Sequence, residues 1–238
     1  MDQFQQQPAW ISSSTVETDL RVRTFVRTVY AWMFGGLLLT AFASMWVISS
    51  RAMQQMIFGN RIVPFVLFGA ELLLVFGLSA ALQRLSSAAA ASMFLIFSLL
   101  NGLSLSAIFF VYTQASIVQA FVTAAGMFGA MAVFGLVTKK DLTSWGSFFF
   151  MGLIGIVICS VVNIFLHSGG LSFVISVVGV FVFVGLTAYD NQKLKRYATV
   201  TGDMQQNLAI VGALALYLDF INLFIMLLRL FGGGNRRN

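Results

Sequence analysis

Charge is scarce in this sequence. Only 9% of the 238 residues are Asp, Glu, Lys or Arg, against about 25% in an ordinary soluble domain. Too little polar surface remains to cover a water-soluble globule, and 59% of the residues are hydrophobic. Cysteine occurs once, as Cys159 inside an apolar block, which excludes an internal disulfide and a cysteine-based metal site. Its ordinary reading is a small lipid- or core-facing residue. Histidine also occurs once, as His167, so zinc hydrolysis and histidine-based proton transfer lack their parts. No phosphate-binding loop, dinucleotide fingerprint or nucleophile–base pair is present, and no enzymatic activity is expected. The net charge is +6, but no basic stripe is interleaved with aromatics, so nucleic acid is not an expected partner. The first 20 residues are polar where a secretory signal would be basic and then apolar. No cleavable signal is expected, and the first apolar block is long enough to remain in the membrane.

What the chain has instead is long apolar runs. A bilayer core takes about 20 consecutive apolar residues per helix. Seven such runs occur: Thr28 to Ser49, Ile62 to Leu82, Ala88 to Val111, Ile117 to Val137, Phe148 to Leu166, Leu171 to Tyr189 and Leu208 to Leu230. Pro64 falls in the first turn of the second run, where proline is tolerated. The expected fold is an all-α integral membrane bundle of seven transmembrane helices. Its expected parts are a polar, flexible, cytoplasmic segment at 1–26, the membrane domain at 27–231 and a flexible basic tail at 232–238. The links after the third and fifth runs are short, which predicts two helical hairpins. No internal repeat of the inverted-transporter kind is visible.

Lysine and arginine set orientation. With the N-terminus inside, the inner segments hold Arg21, Arg23, Arg27, Arg84, Lys139, Lys140, Lys193, Lys195 and Arg196, and the outer ones Arg51, Arg61, Arg229, Arg236 and Arg237. The excess favours a cytoplasmic N-terminus and, after seven crossings, an outer C-terminus.

A carboxylate at the centre of a membrane helix costs about 2.5 to 3.5 kcal/mol on the insertion scale, and such residues ordinarily face the bundle interior and mark a pathway or relay. Glu71 is in the middle of the second run and Asp219 in the middle of the seventh; Asp190 is at the inner end of the sixth. Residues three and four apart share a helix face, so Gly212, Ala215, Asp219 and Asn222 form a small, polar stripe that predicts Asp219 turned inward. Leu214, Leu218, Ile221, Ile225 and Leu228 form an opposite, lipid-like face. Asp190 has two readings. In one it is an interfacial carboxylate beside Lys193. In the other it meets Asp219, which requires a late start to the seventh helix or an aqueous pocket from the cytoplasmic side. Two carboxyls at low dielectric cannot both ionise cheaply, so such a pair can share a proton or, ionised, coordinate a hard cation such as Ca2+. Glu71 is either a protonated acid hydrogen-bonded across helices or a relay, and the Ser98, Asn101, Ser104 stripe reads as helix–helix glue.

These residues resemble a known family. Phe183-Val184-Gly185-Leu186-Thr187-Ala188-Tyr189-Asp190, followed by Gln192, Lys193 and Leu194, is similar to the sixth-helix signature of the Bax inhibitor-1 family. Leu216-Tyr217-Leu218-Asp219-Phe220-Ile221-Asn222-Leu223-Phe224 resembles its last helix, and Lys139-Lys140-Asp141-Leu142 and Asn163-Ile164-Phe165 fit the same pattern. The likeness runs from about Arg27 to Phe231 and is nearest the bacterial inner-membrane branch. It implies a seven-helix fold with the last helix central, and an aspartate pair, Asp190 and Asp219, acting as a pH sensor for a Ca2+ leak. It also implies an acidic position at Glu71 and a latch arginine near the inner end of the second helix. Here the nearest arginine is Arg84, two residues late, with Leu82 in the expected place. Arg84, Glu71 and Asn222 are the expected latch or relay residues.

The leading expectation is therefore a pH-sensitive, Ca2+-permeable leak channel in the bacterial inner membrane, gated by the aspartate pair, with the bilayer, Ca2+ and H+ as its partners and no resident cofactor. The alternative is a non-transporting regulator that binds a membrane protease or stress factor through its polar N-terminal segment. A third reading, a proton-coupled transporter, requires broken helices, for which Gly126, Gly129 and Gly135 in the fourth run are the visible material.

Overall fold

A computed structural model describes residues 9–81 and 83–232. Among these residues there are nine helices: α1 (Ala9–Ser49), α2 (Arg51–Phe58), α3 (Val63–Ala80), α4 (Ser87–Leu105), α5 (Ile108–Val111), α6 (Gln114–Val137), α7 (Thr143–Leu166), α8 (Gly169–Tyr197) and α9 (Asp203–Gly232). Seven spans are long and apolar enough to cross a membrane, α4 and α5 counting as one.

The first helix takes in most of the N-terminal segment. α1 is 41 residues long, or about 60 Å at 1.5 Å per residue, twice the roughly 30 Å of a bilayer core. From Ala9 onward the polar stretch expected to be flexible is helical and continuous with the first span. Its expected flexibility before Ala9, and that of the tail beyond Gly232, lie outside the described residues.

Side-chain caps set several of the other boundaries. Ser50, Ser86, Thr113 and Ser168 each accept a hydrogen bond from a backbone N–H in the first turn that follows, the ordinary helix-start device. Pro64 is in the first turn of α3. The α7–α8 turn is closed by Asn163, whose amide donates to Ser172 Oγ at 2.7 Å and whose carbonyl accepts the Ser168 N–H at 3.1 Å. His167 adopts the left-handed conformation, φ 49°, at that turn.

The break in the bundle is not where the glycines of the fourth run suggested. α6 is continuous through Gly126, Gly129 and Gly135. The third span is interrupted instead, at Ser106 and Ala107, where Ser106 Oγ turns back to donate to the Leu103 carbonyl at 2.6 Å. α4 and α6 do not form the hairpin that their short link predicted: α9 packs against both, and they hardly touch. α7 and α8 do pair as expected.

α9 is the core. It packs against α1, α3, α4, α6 and α8, and 72% of its apolar stretch is buried, against 6% for α7 and 11% for α3. The face that resembled a lipid surface is not one, because Leu214, Ile221 and Leu228 are all buried. The less buried positions of α9, Val211, Ala215, Leu218, Asn222 and Ile225, form a single stripe at helical spacing. The α8–α9 pairing is antiparallel and close. A Cβ on Gly212 would lie 2.8 Å from Leu194, and one on Gly179 would lie 2.8 Å from Met226. α6 approaches α8 so tightly that a Cβ on Gly135 would enter the backbone carbonyl of Ala188.

Candidate functional site: a carboxyl pair in a lateral cleft

Hydropathy ends the sixth run at Tyr189, which would leave Asp190 at the membrane boundary. The helix does not end there. α8 continues two turns further, through Gln192, Lys193 and Lys195, to Tyr197. Gln192 fixes this extension to the α6–α7 link: its amide donates to the Lys140 carbonyl at 2.7 Å, and its carbonyl accepts the Leu142 N–H at 2.8 Å. Beside it, Asn191 is fully buried and accepts a hydrogen bond from Tyr30 of α1 at 2.5 Å. Asp190 is thereby held seven residues inside the helix end, about 10 Å at 1.5 Å per residue. With Leu194 opposite Gly212 in the antiparallel register, Asp190 falls beside Ala215 and Asp219.

The two carboxyls lie within hydrogen-bonding reach of each other. Asp219 is only 4% exposed, and apart from the facing carboxyl its Oδ2 has no hydrogen-bond partner among the described residues. An ionised carboxylate only accepts hydrogen bonds. A bond between two carboxyls therefore needs a proton on one of them, and full ionisation needs a cation.

Both aspartates line a cleft of about 620 Å³. Its walls are α3, through Val75 and Ser79, and α7, through Gly146 and Ser147; its floor is the less buried stripe of α9. α3 and α7 are both peripheral and do not pack against each other, so the cleft is a slot between them. Asn222 lines this slot, and its amide donates to the Leu218 carbonyl of its own helix at 2.8 Å. Gly146 permits the approach of α8, since a Cβ there would meet the Tyr189 ring.

Arg84 does not join the pair. It is exposed on the turn after α3 and is absent from the cleft lining. The chain turns away at Ala81, where the helix has ended, so two extra residues place the guanidinium outside the bundle. The cation at the cleft is Lys193, one turn beyond Asp190. Its ammonium is 5.9 Å from the Tyr189 ring centroid and 5.4 Å from that of Tyr197.

Glu71 belongs to a second cluster on the other side of α9. It is buried, accepting hydrogen bonds from Ser104 Oγ at 2.6 Å and Asn101 Nδ2 at 3.2 Å. Asn101 Oδ1 accepts from the Tyr217 hydroxyl at 3.0 Å, and that hydroxyl is 2.6 Å from Thr40 Oγ1. Thr40 is also 2.8 Å from the Ser98 carbonyl. The chain of bonds thus joins α3, α4, α9 and α1, and two members of the polar stripe on α4 hold Glu71 directly. Sequence reasoning missed Thr40, Tyr217 and Tyr30 as network members. Tyr217 is in the last-helix motif two residues from Asp219, and a tyrosine buried in a membrane helix needs a partner for its hydroxyl. Thr40 carries no comparable signal, because a threonine inside an apolar run ordinarily satisfies itself on its own helix.

Among the described residues no group of three or more His, Cys, Asp or Glu side chains converges as a metal cage. The carboxyl pair with Asn222 nearby is a sparse oxygen set, suited to a passing hard cation that keeps water ligands rather than to a resident one.

A seven-span membrane bundle with a carboxyl pair buried against its central helix defines the class. The chain matches the family described as "Inhibitor of apoptosis-promoting Bax1" over residues 22–237, and it belongs to that Bax inhibitor family. It is 49% identical over 230 residues to a protein of Escherichia coli described as "Inner membrane protein YbhL", covering 95% of this chain and 97% of that one. A Deinococcus radiodurans protein, described only as uncharacterized, is 43% identical over 235 residues, with 98% of each chain covered. A Borreliella burgdorferi protein with the same description is 42% identical over 217 residues, covering 90% of this chain and 93% of its own.

Proposed function

We infer that this protein is a pH-sensitive, Ca2+-permeable leak channel gated by Asp190 and Asp219. The observation that carries the reading is the meeting of these two carboxyls at the wall of an open cleft, 29 residues apart in sequence and on neighbouring helices. Shared, a proton neutralises the pair and leaves nothing to attract a cation. Removed, it leaves two negative charges at low dielectric that only a cation can compensate. The pair is thus a site where H+ and Ca2+ compete. The E. coli relative's description and the lysine and arginine distribution support placement in a bacterial inner membrane with the N-terminus cytoplasmic, and no step in this function requires enzymatic chemistry. Purified protein in liposomes loaded with a Ca2+ indicator tests the reading. Flux that rises and falls with pH and is changed by Asp190→Asn and Asp219→Asn supports it. Flux indifferent to pH and to both substitutions rejects it.

The second reading, a regulator gripped by another membrane protein such as a protease or stress factor, is favoured by the length of α1. About half of that helix exceeds the bilayer core, and its N-terminal part carries Glu17, Arg21 and Arg23 as exposed side chains. Deleting residues 2–19 separates the two: a regulator loses its co-purifying partner, while a channel keeps its flux.

A further inference from the structure

We propose that Lys193 is a tethered cation that moves between a seat on two tyrosine rings and the Asp190/Asp219 pair, and so competes with the cation that the pair admits. The proposal rests on the leak-channel reading and concerns the same site.

Three observations carry it. First, among the described residues lining the cleft, Lys193 is the one cation, and Asp190 and Asp219 are the only other charged groups. Lys193 and Asp190 also line a small pocket behind it, with Tyr197, Gly212 and Ala215. Second, the ammonium is near the aspartates but not paired with them. It is within 6 Å of both the Tyr189 and Tyr197 ring centroids, and it forms no ion pair with either carboxyl. Such a seat over aromatic faces stabilises a cation, and the Tyr197 hydroxyl is within hydrogen-bonding reach of the ammonium. Third, Asp219 lines the cleft, and apart from the facing Asp190 carboxyl its buried Oδ2 has no hydrogen-bond partner among the described residues.

The geometry of the helix makes the exchange short. Lys193 is three residues beyond Asp190, on the same face, and Tyr189 and Tyr197 are four residues before and after it. The lysine stem has four rotatable carbons and a compact, three-donor head. A change of side-chain rotamer alone carries the ammonium from the rings toward the carboxyls, with no movement of α8. In one seat the ammonium occupies the cation site. In the other the site is open to an ion from solution. The exposed Arg84 cannot serve this purpose, so the internal cation of this chain comes from the same helix as Asp190.

Equilibrium binding of radiolabelled Ca2+ to the full chain in phosphatidylcholine nanodiscs, alongside the liposome flux, tests the proposal. Lys193→Met keeps the stem and removes the charge. Its half-saturating Ca2+ should fall about twofold, the gain from freeing a site that the ammonium otherwise occupies about half the time, and Lys193→Arg should restore the wild-type value. Lys193→Ala should behave like the methionine variant, and added ethylammonium should bring its half-saturating Ca2+ back up while leaving that of the wild type unchanged. Tetramethylammonium, which has no N–H to donate, should not. A second readout does not depend on ions. Isotopic dimethylation of the lysines, with the Lys193 signal assigned by its absence in Lys193→Arg, gives a methyl resonance shifted upfield by the tyrosine rings. In Asp190→Asn/Asp219→Asn that resonance should move further upfield as the ammonium stays parked.

Unchanged Ca2+ affinity in Lys193→Met and Lys193→Ala, or a Lys193 resonance indifferent to the double aspartate substitution, overturns the proposal while leaving the leak reading intact. A wild-type protein that neither binds nor passes Ca2+ rejects the leak reading and, with it, the competitive role; the methyl resonance then reports only the two seats.

Discussion

Tyr217→Phe is the sharpest probe of how the central helix is held. The ring of Tyr217 is wholly buried and makes edge-to-face contacts with Phe94 and Phe97, at centroid distances of 5.9 and 5.5 Å. Phenylalanine keeps all of this. What it removes is one hydroxyl, 2.6 Å from Thr40 Oγ1 and 3.0 Å from Asn101 Oδ1. Interhelical hydrogen bonds in a bilayer average about 0.6 kcal/mol and reach about 1.7, so two of them set a loss of about 1 to 2 kcal/mol. Thr40 keeps the Ser98 and Gly36 carbonyls as acceptors, whereas Asn101 Oδ1 loses its one donor among the described residues, which places the loss in the upper half of that range. Tyr217→Ala, by contrast, empties a packed site and should cost about 3 to 5 kcal/mol. Reversible unfolding in mixed micelles, with both variants measured against wild type, resolves the two values. A phenylalanine variant as stable as wild type would refute the network; one as damaged as the alanine variant would show that the hydroxyl does more than two hydrogen bonds can explain. The pair Tyr217→Phe and Asn101→Ala should also be non-additive, since each removes the same bond.

Other consequences are simpler to state. Gly135→Ala drives a methyl into the Ala188 carbonyl, and since backbone must move, a loss of about 1 to 3 kcal/mol is expected in the same unfolding assay. Ser104→Ala removes the shorter of the two hydrogen bonds to Glu71; its destabilisation should vanish when Glu71 is already alanine, which has no acceptor for that hydroxyl, as a double-mutant cycle will read. Asp141, on the α6–α7 link outside the spans, accepts from both the Thr143 N–H and hydroxyl, which hold its carboxyl below the ordinary carboxylate range. A depressed native value means that its contribution is complete above the unfolded-state value and lost as pH falls through the native one. Wild type should therefore lose its thermal advantage over Asp141→Ala in acid, and an advantage that grew with acidity would contradict the assignment.

How much of this was legible beforehand differs by element. The seven spans follow from hydropathy because the bilayer imposes a length, and Asp219 declared itself by its place in an apolar run. The limits of α8 were not legible by that route. Hydropathy marks where a helix stops being apolar, not where it stops being a helix, and Gln192, Lys193 and Lys195 are good helix formers that continue the backbone into the interface. That difference of two turns moved Asp190 from the boundary to the site. The reading of α9 as two-faced failed for a related reason. Leucine and isoleucine suit lipid and protein interior equally, so composition could not tell that the bulky positions of this helix were buried against neighbouring helices while Ala215 and Asn222 of its small, polar stripe faced the open slot. Arg84 failed on geometry: a motif offset by two residues past a helix end is not a small displacement but a change of direction.

The two buried clusters then share one support. Tyr217 and Asp219 are two residues apart on α9, about 200° around a helix that turns 100° per residue, so they point to nearly opposite sides of it. On the Tyr217 side every polar group is tied to another helix: Thr40 on α1, Asn101 and Ser104 on α4, Glu71 on α3. On the Asp219 side the slot between α3 and α7 is open, and an oxygen has no partner among the described residues beyond the facing carboxyl. The asymmetry decides where ion chemistry can occur without dismantling the bundle. A change at Glu71 must break its bonds to Asn101 and Ser104 of α4, inside a network that ties four helices. A change at Asp219 needs only a proton, an entering cation or the turn of one lysine side chain, while the opposite face of the same helix stays fastened.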